Sequence, residues 1–157
     1  MNPKPITNFV SQFGEQIALN LDLMIEKNGR YYLITPSLKP IIRQDFFYAG
    51  IFLGKAKEGK FFPSFILLAM LAKSDVNQVI VDGKAAWLFI CGKDILRKSI
   101  TRVYGPGKKN TNTLVLNEFS ECLGFGRIVE KLSDSIENNN LVVRNISDIG
   151  DFLRRER

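Results

Sequence analysis

Histidine is missing from this chain of 157 residues. Its absence removes the Ser-His and Cys-His nucleophile pairs, His-liganded zinc and any imidazole acid-base group near neutrality. Carboxylate, lysine, tyrosine and cysteine chemistry remain. Cysteine is scarce: Cys91 and Cys122, each set in apolar sequence, fit neither a disulfide framework nor a paired-thiolate metal site and read as buried thiols. Long apolar runs are also absent. The longest, Phe65 to Ala72, falls far short of the ~20 residues that span a bilayer. The opening Met1-Asn2-Pro3-Lys4-Pro5 lacks the charged-then-apolar pattern of a signal peptide. These absences lead us to expect a cytoplasmic protein without a membrane partner. There are no internal repeats and no low-complexity tracts; Asn138-Asn139-Asn140 reads as a loop. What is present, 45% hydrophobic and 24% charged residues, suffices for a packed core in one ordinary domain or two small ones.

Apolar groups at Ile6, Phe9, Val10, Phe13, Ile17 and Ala18 have the spacing of an amphipathic helix over Ile6 to Leu19, with Pro5 suited to its start. Leu21 to Glu26 and Arg30 to Thr35 flank Lys27-Asn28-Gly29, whose Asn-Gly pair supplies the positive φ angles of a tight hairpin. Phe46 to Lys55 and Lys60 to Phe65 suggest a second strand pair around Ala56-Lys57-Glu58-Gly59. Ile66 to Lys73 favours a buried helix. The texture changes at Ser74-Asp75-Val76-Asn77, which reads as a boundary. Beyond it, Val79 to Val81 reads as a strand, Asp82-Gly83 as a turn and Ala86 to Cys91 as a central strand, apolar on both faces. Lys93 to Arg102 fits a short helix with Ile95, Leu96, Ile100 and Val103 inward. Thr113 to Asn117, Cys122 to Val129, Leu141 to Asn145 and Arg102 to Tyr104 are further strand candidates. Many short strands with one short helix favour a small barrel.

The net charge of +6 divides evenly: residues 1–75 carry nine basic and six acidic groups, residues 76–157 thirteen and ten. Only finer subdivision is informative. Lys93, Arg97, Lys98, Arg102, Lys108 and Lys109 face a single acid, Asp94, whereas residues 110–143 hold two basic groups against five acids. On a helix, Lys93 with Arg97 and Lys98 with Arg102 would form two i, i+4 rows whose repulsion an anionic partner relieves. The competing account is an ordinary solvated helix face. Gly105-Pro106-Gly107-Lys108-Lys109 reads as a loop whose amides and lysines could meet a phosphate. It is not a P-loop, because Arg102 stands where the first glycine is required and Lys109 where Ser or Thr is required. Arg154, Arg155 and Arg157 close the chain, either as phosphate and base contacts or as a frayed soluble tail.

Gly124-Phe125-Gly126 lacks the third glycine of a dinucleotide loop, since Val129 holds that place, and reads as a bend in a barrel strand. The acid pairs Glu118 with Glu121 and Asp148 with Asp151 come without a nucleophile or metal-ligand set and read as surface groups.

The order of residues in Trp87-Leu88-Phe89-Ile90-Cys91-Gly92-Lys93-Asp94-Ile95-Leu96, Leu114-Val115-Leu116-Asn117-Glu118, Glu121-Cys122-Leu123-Gly124-Phe125-Gly126 and Val142-Val143-Arg144-Asn145 resembles the PUA domain. This is the small RNA-binding β-barrel named after pseudouridine synthases and archaeosine transglycosylases. The closing Asp148-Ile149-Gly150-Asp151-Phe152-Leu153-Arg154-Arg155 resembles the large-subunit ribosome biogenesis factors related to nuclear import protein seven. Gly54-Lys55, Lys60-Phe61 and the short apolar helix after them fit the N-terminal domain of those factors, and the compact chain resembles their archaeal members. The resemblance implies an α+β fold: an N-terminal α/β domain over residues 1–75, then a PUA-type small β-barrel over residues 76–157. It implies no enzymatic activity, cofactor or metal. The implied partner is RNA, as pre-rRNA or single-stranded AU- or U-rich RNA, bound in large-subunit biogenesis. On matching positions Arg154, Arg155 and Arg157, with Lys93, Arg97 and Lys98, become the contact residues; Arg102, Lys108 and Lys109 join them on charge alone. The N-terminal domain would meet ribosome assembly factors, an RNA methyltransferase among them. Two rivals stand beside this reading: an accessory RNA-binding subunit of an RNA-modifying enzyme, and a protein adaptor docking through the aromatic-rich N-terminal half.

Overall fold

The computed structural model describes residues 1–14, 19–43, 45–132 and 139–155, without the side chains of residues 152 and 155. Helix α1, Lys4–Ser11, buries Ile6, Phe9 and Val10 on one face; it ends before Phe13, expected on the same helix, as the chain turns toward Gly14 at φ 133°, and Ile17 and Ala18 lie outside the described residues. Strands β1, Met24–Lys27, and β2, Arg30–Leu33, form the expected hairpin, with Asn28 at φ 52° and Gly29 at φ 74°. Strands β3, Ile51–Lys57, and β4, Lys60–Pro63, pair across a second such turn, Glu58-Gly59. Helix α2, Phe65–Leu71, starts at Ser64, whose side chain accepts a hydrogen bond from Leu67 N at 3.1 Å. The four strands form one antiparallel sheet in sequence order.

The second half comprises β5, Gln78–Val81; α3, Gly83–Ile90; β6, Ile95–Leu96; a 3-10 turn, Arg97–Ser99; β7, Ile100–Tyr104; β8, Asn112–Leu116; β9, Cys122–Ile128; β10, Leu141–Asp148; and α4, Ile149–Arg155. Its sheet has the order β6-β10-β9-β8-β5-β7. Laid flat at a spacing of about 4.8 Å, six strands would hold β6 and β7 about 24 Å apart, yet the link between these edges reaches at most about 14 Å. The sheet must therefore curl until its edges approach, and it forms a half-barrel.

Two sequence expectations fail here. Ala86 to Cys91 is not a strand but most of α3. Asp82 caps this helix by accepting from Ala85 N at 2.8 Å. Burial follows helical spacing, with Ala85 and Phe89 inside and Trp87 and Leu88 exposed. Alanine and leucine are good helix formers, and the cap starts the helix. Conversely, Lys93 to Arg102 is not a helix. Ile95, Ile100, Thr101 and Val103 are β-branched, and Asp94 accepts from Asn145 N at 2.8 Å, which fixes the start of β6 beside β10.

Apolar residues on both faces of β5 and β8 have distinct destinations. Val79, Val81 and Val115 enter the barrel core with Phe89, Ile95, Ile128 and Val143. Ile80, Leu114 and Leu116 face outward, into a second core shared with Phe9, Phe13, Leu53 and Leu67 of the first half. Phe9 and Phe13 meet Phe125 at ring-centroid distances of 5.3 and 5.6 Å, both edge-on, a favoured arrangement for aromatic pairs.

Candidate nucleic-acid interface

The seam of the barrel is knit by Arg97. Its guanidinium donates to Leu132 O and Lys131 O, each at 2.7 Å, and its backbone N–H donates to Asn140 O at 2.9 Å. The residue is only 6% exposed. Arg97 was expected on a solvated, partner-facing row, but this geometry commits its donors to the backbone and makes it a strut. Leu132 N in turn donates to Gly107 O at 3.2 Å. The seam, the segment after β9 and the loop after β7 therefore meet at one end of the barrel.

That loop is anchored. Asn77, 1% exposed, donates through Nδ2 to Thr111 Oγ1 and Asn112 O, both at 3.1 Å, and its Oδ1 accepts from Gly107 N at 3.1 Å. Gly107 is therefore not a free phosphate-cradling amide. Glycine is needed there because φ is +55° and a Cβ would fall 2.9 Å from Leu132 Cβ. Fixing the loop leaves Lys108 and Lys109 exposed, and Lys131 and Lys98 are exposed as well. Each of these four lysines lies within two residues of a group in the contacts from Arg97 to Leu132 to Gly107, and together they are the lysine rim. Lys131 was not among the sequence candidates because it sits in an acidic stretch; only the Arg97 contacts bring it to the rim.

The other candidates divide. Arg102 is exposed on β7, in register with Ile80. Lys93 lies beside the middle of β10, where its carbonyl accepts from Asn145 Nδ2 at 3.4 Å. Arg154 lies at the other end of the barrel, past β10, 3.6 Å from Asp148 Oδ1 and still 58% exposed. Strand β10, about 23 Å long at a typical rise, separates the two ends. The side chain of Arg155 and all of Arg157 lie outside the described residues. Among the described candidates, Arg97 and Arg154 therefore lie apart from the exposed lysines of the loop.

Two further arginines enter through strand pairing. Arg127 on β9 and Arg144 on β10 are directly opposite one another. Arg127 donates to Asn110 O at 2.9 Å and Gln12 Oε1 at 3.3 Å; both acceptors are neutral, so neither cancels its charge. Beside it a groove of about 680 Å³ opens between α1, β4 and β9, lined by Phe9, Phe61, Phe62, Phe125, Lys60 and Arg127 among others.

The remaining motifs are structural. Gly124 and Gly126 lie inside β9, where a Cβ would approach Ser147 O to 2.1 Å and Arg144 O to 2.5 Å, so β10 passes too closely for a side chain. Asp148 is buried rather than at the surface, accepting from Asp151 N at 2.8 Å and Asn145 Nδ2 at 3.2 Å. Cys91 is exposed at the end of α3, not in the core. Cys122 is partly buried, and burial pushes its thiol pKa up to about 11 despite the opposing effect of a backbone hydrogen bond with Gly124. Among the described residues no His, Cys, Asp and Glu side chains cluster as metal ligands. None of the described helices is long and apolar enough to cross a membrane.

Comparison with known proteins places this geometry. A UPF0113 protein of Archaeoglobus fulgidus is 30% identical over 120 residues, 70% of this chain and 63% of that protein. The chain thus spans less than two thirds of that relative. A hypothetical protein from Pyrococcus horikoshii has a TM-score of 0.64 at 20% identity, covering 99% of this chain and 96% of that one. A PUA domain from Aeropyrum pernix, solved as a tartrate complex, gives 0.63 at 16% identity, covering 98% and 86%. A conserved PUA domain protein from Thermoplasma acidophilum gives 0.61 at 17%, covering 99% and 96%. At these identities the three structures establish the fold, a mixed α/β arrangement with a curled half-barrel. Residues 77–157, more than half the chain and the whole barrel with its lysine rim, match the UPF0113 PUA domain, and the chain belongs to that family.

Proposed function

We propose that this protein is a non-catalytic binder of single-stranded RNA, and that its physiological ligand is a precursor of large-subunit ribosomal RNA. Membership of a PUA family implies RNA binding. The finer assignment draws on the likeness of the closing Asp148 to Arg155 segment to large-subunit biogenesis factors. The observation that carries the site is the rim of Lys98, Lys108, Lys109 and Lys131 around the Arg97, Leu132 and Gly107 contacts. Clustered ammonium groups on a fixed backbone suit phosphate contacts, which position a strand without reading its bases. Arg102 extends this surface along β7. Lys93 and Arg154 form a second element away from that rim, and the closing Arg155 and Arg157 remain candidate contacts through the resemblance. The division at residue 75 is retained as part of the proposal: residues 76–157 as the primary RNA module, residues 1–75 as the accessory one.

Fluorescence anisotropy with a uridine-rich single strand at two salt concentrations tests the site. Replacing the four rim lysines with Gln should reduce the slope of log affinity against log salt by about 3, from about 0.7 per phosphate contact on a single strand. Replacing Arg154, Arg155 and Arg157 with Ala should weaken binding with Tm nearly unchanged. Wild-type affinity in both variants would overturn the site. Sequencing RNA that co-purifies from native extract tests the ligand; recovery without enrichment of large-subunit precursor would refute that assignment.

A further inference from the structure

The four-stranded sheet carries a charge pattern that its hydrophobic core does not explain. Strand register places Lys27 opposite Arg30, and Arg30 opposite Lys55. One rung across three strands is therefore entirely cationic. The neighbouring rung of β3 and β4 pairs Lys57 with Lys60. Directly opposed residues project from the same face, and successive residues alternate faces. Arg30, two residues from Tyr32, thus shares the face opposite Tyr31, which belongs to the inner core. Like charges placed directly opposite one another in a sheet destabilise it, and here there are three such pairs. Lys27 is partly occupied, donating to Phe46 O and lying 4.9 Å from the centre of the Phe46 ring. Arg30, Lys55, Lys57 and Lys60 are exposed. The carboxylates beside them are Asp45 and Glu58, the latter an exposed partner 3.8 Å from Lys57.

Aromatic rings are interleaved with these cations. Phe47, 90% exposed, lines the same hollow as Lys27, Arg30, Tyr32 and Lys55. Tyr48, 56% exposed, stands edge-on to Tyr32 at 5.1 Å. Phe62 shares the outer face opposite Lys55. At the β4 edge, Lys60 and Phe62 continue into the groove that holds Arg127, whose strand partner is the exposed Arg144.

We propose that the outer face of this sheet is a second contact surface for single-stranded RNA, along which bases stack on Phe47 and Tyr48 while Arg30, Lys55, Lys57 and Lys60 hold the phosphates. The inference rests on the RNA-binding reading above and extends it to a surface in the other half of the chain. Aromatic platforms edged with cations are how proteins bind single strands without strong sequence preference. Protein docking surfaces are depleted in lysine, so the composition favours an anionic strand over a protein partner. The cations of the groove continue this track from Lys60 toward the barrel.

The test uses the full chain and a labelled uridine-rich RNA, with anisotropy read across a salt series. Arg30→Gln, Lys55→Gln and Lys60→Gln together should lower the salt slope by about 2, from about 0.7 per contact, without lowering Tm, since like-charge pairs are removed. Phe47→Ala should weaken binding about tenfold and leave the salt slope unchanged. The rim variant with Gln at Lys98, Lys108, Lys109 and Lys131 serves as the comparison. Unchanged affinity and slope in both sheet variants, with loss in the rim variant, would overturn this inference while sustaining the RNA reading, and would assign the face to a protein partner. A wild-type chain that binds no RNA would overturn both.

Discussion

Replacing Arg97 separates a structural role from an RNA contact. Its guanidinium makes two hydrogen bonds of 2.7 Å to main-chain carbonyls from a nearly fully buried position. Hydrogen bonds to a charged group contribute about 1.5–3 kcal/mol each, and a carbonyl left buried without a donor carries its own desolvation cost. Arg97→Met, similar in length and without donors, should therefore cost about 3–5 kcal/mol. Arg97→Lys keeps the charge but not the planar fork that reaches both oxygens, and should cost about 2 kcal/mol. At roughly 2–4 °C per kcal/mol for a chain of this size, Arg97→Met should lower Tm by roughly 10 °C. Lys98→Gln, its exposed neighbour, should stay within about 0.5 kcal/mol of the parent and lower the salt slope of RNA binding. Urea unfolding followed by circular dichroism gives the stabilities, and anisotropy gives the affinities. If Arg97→Met kept the parent midpoint and lost RNA affinity as Lys98→Gln does, the guanidinium would be a ligand contact and the strut reasoning would be refuted.

Gly124→Ala should destabilise the fold by about 3 kcal/mol or more, because a Cβ at φ +147° would lie 2.1 Å from Ser147 O; an unchanged urea midpoint would show that β10 can move aside. In the folded protein Cys91 should react with a thiol reagent and Cys122 should not, with a second equivalent consumed only on unfolding; equal rates for both would contradict their different burial. The raised pKa of Cys122 means that the folded state holds its thiol proton more tightly than the unfolded chain does. Its contribution to stability is therefore intact below pH 9 and is lost as pH rises through 9 to about 11. Cys122→Ala should remove that part of the alkaline decline, as measured by chemical denaturation across the pH range.

Local chemistry made several elements legible in advance. The Asn28-Gly29 hairpin could be read because positive φ at both positions suits few other residues. The one-sided periodicity that begins at Ile6 marked a helix because its apolar groups share a face, but the helix stops at Ser11 and does not reach Leu19. The barrel itself followed from the number and spacing of short strands. Where local signals were balanced, the reading failed. Ala86 to Cys91 suits a helix or a strand, and the Asp82 cap together with the place of Phe89 in the barrel core selected the helix. Lys93 to Arg102 also has helical spacing, but pairing of β6 with β10 and of β7 with β5 outweighed it.

Composition and order alone determined that this chain carries an apolar core, short strands around a barrel and a surplus of cations, because these depend on residue type and near neighbours. Which cations act together was decided only by the tertiary structure. The curl of the six-stranded sheet brings Arg97 to Leu132 and Leu132 to Gly107, which gathers lysines up to 33 residues apart in the chain. The same curl removes Arg97 from the surface. Strand register likewise sets Lys27, Arg30 and Lys55 side by side. A charge acts through distance in space, and in a sheet that distance is set by long-range pairing rather than by position along the chain.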